Sequence, residues 1–81
     1  MNLCQLPRRT PAIVDRIEHR GERDAIARRL HELGFVDGEP VEVMASAPFG
    51  GDPLLVQIGF TRFALRRSEA ERVLVRMGDD A

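Results

Sequence analysis

The chain has 81 residues, enough for one domain around one small core. Twelve basic residues, all arginine, face thirteen acids for a formal net charge of −1, a balance that argues against a protein built to hold phosphate backbones. No apolar run approaches transmembrane length, and the N-terminal residues lack an apolar signal core. The single cysteine, Cys4, has no internal disulfide partner. A cytoplasmic protein without direct membrane insertion is expected.

Leu3 and Leu6 precede Pro7, and a short polar link leads to Ala12. From Ala12 to His19 the residues are rich in β-branched Ile13, Val14 and Ile17, which predicts a strand. Asp15 falls on the parity of Ile13 and Ile17, so either a bulge or an edge position is needed. After Gly21 the period changes. Ile26, Leu30 and Leu33 share one stripe of a helix predicted over Glu22 to Leu33, with Ala25 and Ala27 beside it. Asp24 stands four residues before Arg28, the spacing of a favourable helix pair. Gly34 is placed to end the helix in a left-handed conformation, with Phe35 as the apolar partner of that cap.

Residues 36 to 40 read as a turn. Val41, Val43 and Ala45 then alternate with Glu42, Met44 and Ser46, the period of a strand with one wet face. Leu54, Val56, Ile58 and Phe60 make a second such run, and Phe63 and Leu65 a third, marked by Arg62, Arg66 and Arg67. Ala47-Pro48-Phe49-Gly50-Gly51-Asp52-Pro53 separates the first two runs. Its prolines and glycines let neither helix nor ladder pass through. Ser68 and Glu71 have capping-box spacing for one short helical turn. Val73, Leu74 and Val75 form a last strand, followed by a tail from Met77 to Ala81. The expected fold is mainly β: a small SH3-like barrel of about five strands, with one α-helix after the first strand and a short helical turn before the last.

Three segments carry a family resemblance. Arg29-Leu30-His31-Glu32-Leu33-Gly34-Phe35 with Asp37-Gly38, the loop from Ala47 to Leu54, and Ala64-Leu65-Arg66 with Glu69-Ala70 resemble, in that order, the motifs of the FeoA family of ferrous-iron transport accessory proteins. The resemblance implies an SH3-like barrel spanning residues 1–81, no enzymatic activity, and one partner. That partner is FeoB, the membrane transporter for ferrous iron with a cytosolic GTP-hydrolysing domain.

On this reading Phe49, Gly51, Asp52 and Pro53 form a partner-binding loop surface, and Leu33 and Gly34 are carried over as family motif positions. The bland alternative is that the loop's prolines and glycines serve only its shape, with Asp52 bonding its own backbone as turn aspartates do. The absence of Trp and Tyr argues against a proline-rich peptide groove. No nucleophile stands beside a base, and Pro53 denies Gly50-Gly51-Asp52 the helix start of a phosphate loop. The soft or imidazole ligands Cys4, His19 and His31 are isolated in sequence and make weak metal candidates. They support only an alternative reading, a carrier delivering ferrous iron to the transporter. A bound divalent ion would be adventitious, and an exposed edge strand leaves room for weak self-association.

Overall fold

The computed structural model describes residues 1–48 and 50–77. Its elements are β1 (Ala12–Ile17), α1 (Ala25–Leu33), β2 (Pro40–Ser46), β3 (Leu54–Ile58), β4 (Thr61–Leu65), α2 (Arg67–Ala70) and β5 (Val73–Met77). The five strands make one antiparallel sheet in the order β4-β3-β2-β1-β5. Alternate residues of β2 and β3 go inward, as their period requires: Val41, Val43, Leu54, Val56 and Ile58 are buried with Val14, Leu65, Val73 and Val75. Leu30 and Phe35 join that cluster, while Ile26 and Leu33 pack on its margin.

Helix α1 ends as its sequence requires. Gly34 sits at φ 113°, with its N–H donating to the carbonyl of His31, and Phe35 N–H donates to the carbonyl of Leu30. The reversal turns Phe35 into the core, fully buried, with its ring 6.4 Å from that of Phe63. The helix begins later than Glu22, however. Asp24 is the N-cap and Ala25 the first helical residue, because a short carboxylate in an extended conformation satisfies an otherwise unpaired helix amide.

Asp24 does not pair with Arg28. Its Oδ1 accepts from Ala27 N–H at 3.0 Å, and its Oδ2 accepts from Arg20 N–H at 2.7 Å and from the Arg72 guanidinium. Both charged side chains are nearly enclosed, at 4% exposure for Asp24 and 12% for Arg72. The Arg72 hydrogen bond, helped by the Arg20 and Ala27 amides and opposed by burial, holds the Asp24 carboxyl far below the ordinary carboxylate range.

Of the two forms expected at Asp15 one is found, and three other features depart from expectation. Asp15 is the odd residue of a bulge between Val14 and Arg16, and β1 lies inside the sheet rather than at an edge. Its carboxylate takes Arg76 at 3.1 Å. Phe60 leaves the strand: Ile58 pairs with Thr61, so Gly59 and Phe60 are a two-residue turn, with Gly59 at φ 59° and Phe60 fully exposed. Helix α2 is capped through Glu69 and not by a Ser68–Glu71 box: Arg66 is the last extended residue, its N–H donates to Glu69 Oε1 at 2.9 Å, and its guanidinium has no acceptor to complete a box. Met77 closes β5 opposite Ala12 instead of opening a tail.

The N-terminal residues are structural too. Leu3 and Leu6 are buried, Leu3 N–H donates to Val73 O, and Val75 N–H donates to Met1 O. The chain's start therefore lies along the outer edge of β5.

Two outcomes are expected. Phe35→Ala costs about 3–5 kcal/mol in chemical denaturation. Gly34→Ala costs about 1–2 kcal/mol, from the left-handed backbone alone, because a Cβ there meets its nearest neighbour, Ile58 Cγ1, at 3.9 Å. The depressed Asp24 carboxyl also sets a pH dependence. Since its folded value lies below its unfolded one, its stabilisation is present above the unfolded carboxylate range and is lost as pH falls through and below that range. Thermal melts of Asp24→Asn against the parent should show a lower Tm at neutral pH, with the difference shrinking as the solution is made acid.

Candidate functional site

The loop between β2 and β3 is closed at its base by Ala47 N–H donating to Pro53 O at 3.0 Å. Asp52 does not bond its own backbone. Its Oδ1 accepts from the N–H of Arg67 at 3.1 Å, so the loop is tied to the first residue of α2. Gly51 lies against the same segment, and a Cβ there would come within 3.4 Å of Arg67 Nη1. The peptide bond from Asp52 to Pro53 is cis. Asp52 and Pro53 share with Ala64 and Arg66 the lining of an open hollow of about 350 Å³. Asp52 and Pro53 therefore share one surface with the end of β4, and Gly51 lies beside Arg67. Phe49 lies outside the described residues.

Leu33 and Gly34 are not part of that surface. Leu33 packs against the core, and Gly34 faces Ile58, whereas the loop enters β3 at Leu54. Four strand steps separate those ends of β3, about 13 Å. The carried-over motif positions thus fall on opposite ends of one strand.

The weak metal candidates divide in the same way. His19 and His31 line one groove with Glu22, Asp24, Ala27 and Arg28. Asp24 in that groove is already committed to Arg72, and Arg28 adds positive charge. Cys4 is elsewhere, half-buried, with its Sγ 3.5 Å from the carbonyl of Arg67. Burial pushes its thiol up from the ordinary value, against the pull of Arg67, which disfavours the thiolate a metal would take. Among the described residues no group of three or more His, Cys, Asp or Glu side chains is placed to hold a metal ion.

The FeoA domain model matches residues 1–77. The chain belongs to the FeoA family. Among solved structures, FeoA of Stenotrophomonas maltophilia, complexed with zinc and described as an SH3 domain protein, is 60% identical, with a TM-score of 0.84 over 93% of this chain and 88% of that one. FeoA of Chlorobium tepidum is 32% identical, with a TM-score of 0.84 over all of this chain and 73% of that one. A fusion of Fe(2+) transport protein A with the Fe(2+) transporter FeoB in Porphyromonas gingivalis is 32% identical over 77 residues, 95% of this chain. The chain spans about 9% of that fusion's length. No described helix is long and apolar enough to cross a membrane.

Within this FeoA-family domain, sequence reasoning found the loop but missed what holds it. Arg67, whose backbone anchors Asp52, gives no local signal of the role, because any non-proline amide could serve. Arg66 and Ala64 in the hollow were legible only as strand residues. Asp52→Ala should cost about 0.5–1.5 kcal/mol and speed hydrogen exchange at the Arg67 amide, with the remaining sheet amides unchanged.

Proposed function

We propose that this FeoA-family chain is a non-enzymatic cytoplasmic accessory protein, a single domain that docks on the membrane transporter FeoB and supports ferrous-iron uptake. The observation that carries the reading is the Porphyromonas gingivalis fusion, in which a relative of this domain is covalently joined to FeoB. A covalent join replaces a bimolecular encounter with an intramolecular one, so it is informative where two chains otherwise meet. The contact surface is the loop bearing Phe49, Gly51, Asp52 and Pro53. A loop pinned by Asp52 to Arg67 and closed by Ala47 and Pro53 presents its residues at low entropic cost. Leu33 and Gly34 act through the scaffold, one in packing and one in ending α1. The net charge of −1 argues against a nucleic-acid partner, as do the ion pairs that engage Arg20, Arg29, Arg72 and Arg76.

A second reading has its own support. The 60% identical relative is complexed with zinc, and His19 and His31 share one groove here. In that reading the domain is a divalent-metal carrier with ferrous iron as cargo.

Titrating the purified protein into detergent-solubilised FeoB, and separately with ferrous iron alone, decides between them. Saturable FeoB binding without tight metal binding is expected, and tight iron binding with no FeoB affinity would replace docking by delivery. Phe49→Ala should keep the melting temperature and weaken FeoB binding by about 1–3 kcal/mol, or roughly 5- to 150-fold; a collapse of the fold would make Phe49 a core residue instead.

A further inference from the structure

The two edges of the sheet are treated differently. The outer edge of β5 is covered by residues 1–3, through the Asn2–Leu74 bridge and the bonds of Leu3 and Met1 to Val73 and Val75. The outer edge of β4 is bare among the described residues. The ladder fixes which groups that edge shows. Gly59 N–H donates to Pro40 in β2, so Ile58, Val56 and Leu54 turn toward β4 and bond Thr61, Phe63 and Leu65. The N–H and C=O of Arg62 and Ala64 therefore point outward. Arg66 N–H does not join them, since Glu69 takes it.

This edge has chemistry at both ends. Phe60, fully exposed, borders it at the β3–β4 turn. At the other end lies the hollow of Asp52, Pro53, Ala64 and Arg66. Arg62 and Arg66 flank Ala64 on one face. Among the described residues Arg62 reaches only the neutral Gln57, at 2.9 Å, and both arginines are exposed. The nearby acids are already engaged, Asp52 by Arg67 N–H and Glu69 by Arg29 and Arg66 N–H.

Charge decides the occupant. A second copy pairing antiparallel about Ala64 would set Arg62 against the partner copy's Arg66 and the reverse, two like-charge pairs directly opposite. That arrangement keeps copies apart, as charged edge strands do. The same arginines attract a strand of opposite sign.

We infer that the outer edge of β4 takes an extended acidic segment of a partner protein as an added antiparallel strand. Carboxylates four residues apart on that segment meet Arg62 and Arg66, and its backbone bonds the N–H and C=O of Arg62 and Ala64. The inference rests on the docking reading above and gives it a mode.

The test needs no transporter. The isotope-labelled full chain is titrated with the capped peptide Thr-Glu-Val-Thr-Val-Glu-Thr and with its counterpart bearing lysine for both glutamates. The acidic peptide should shift the amides of Arg62 and Ala64, slow their exchange, and bind about tenfold tighter than the lysine peptide, the effect of two cross-strand charge pairs. The R62E/R66E double variant should reverse that order, and Ala64→Pro, which removes an outward N–H and no ladder bond, should abolish binding. Should Ala64→Pro fail to fold, the charge reversal still decides. Equal binding of the two peptides, shifts confined to other surfaces, no perturbation at millimolar peptide, or self-association through Arg62 and Ala64 would each overturn the inference. A negative peptide titration beside intact FeoB binding removes this mode alone, whereas loss of FeoB binding removes the docking reading with it.

Discussion

The carboxylate of Asp24 ties the start of α1 to the end of β1 and to the chain entering β5, beside the backbone bond from Glu18 N–H to Arg72 O. One oxygen caps α1, and the other takes the backbone of Arg20 and the guanidinium of Arg72, just before β5. Three segments of the chain thus converge on one nearly enclosed acid. An enclosed charge is tolerated only when its hydrogen-bonding capacity is met, and this acid has three donors. The pair lies where α1 leaves the end of β1 and where the chain from α2 re-enters the sheet, and it links the two. Arg72 is less completely served, since its Nε is buried without a partner among the described residues.

With those positions set, the sheet distributes its two ends of function and structure along β3. At the Ile58 end, the reversal at Gly34 brings Phe35 into the core and α1 to the sheet. At the Leu54 end, Asp52 fastens the glycine- and proline-rich loop to α2. The first end is packing and tolerates little change, while the second is solvent-facing and stiffened by one cross-chain hydrogen bond. A rigid scaffold that presents a short loop is suited to recognition, and on the docking reading proposed above FeoB is what it recognises.

The resemblance to an SH3 fold extends to topology and stops before the chemistry of proline-rich recognition. Of the aromatic side chains described, Phe35 and Phe63 pack together in the interior and Phe60 stands alone at a turn. No aromatic-lined groove can be assembled from them. What the barrel offers outside is backbone and charge, at the edge of β4 and beside the loop. Fold and binding mode are separable for this reason, since strand order follows from the core and binding follows from what remains on the surface.

Much of this was legible in the residues alone. The periods of two and 3.6, the reversal at Gly34-Phe35, and the break between Ser46 and Leu54 are local. They depend on side-chain alternation and on the dihedrals open to glycine and proline, which act within a few residues of themselves. What required the folded chain involves residues far apart. Leu3 and Leu6 carried no assigned role, because β5, along which Leu3 lies, comes some seventy residues later. Asp24 read as a partner for Arg28 because helix spacing knows nothing of Arg72. The alternative of Asp52 as a turn aspartate bonding its own backbone fails because the β3–β4 hairpin brings Arg67 N–H to it. Phe60 looked like the last residue of a strand, and only the pairing of Ile58 with Thr61 put it outside. Local sequence determined which elements form and where they break. The hydrogen-bond ladder and the core decided which side chains meet, because partners distant in the chain are chosen by the register and packing of the whole.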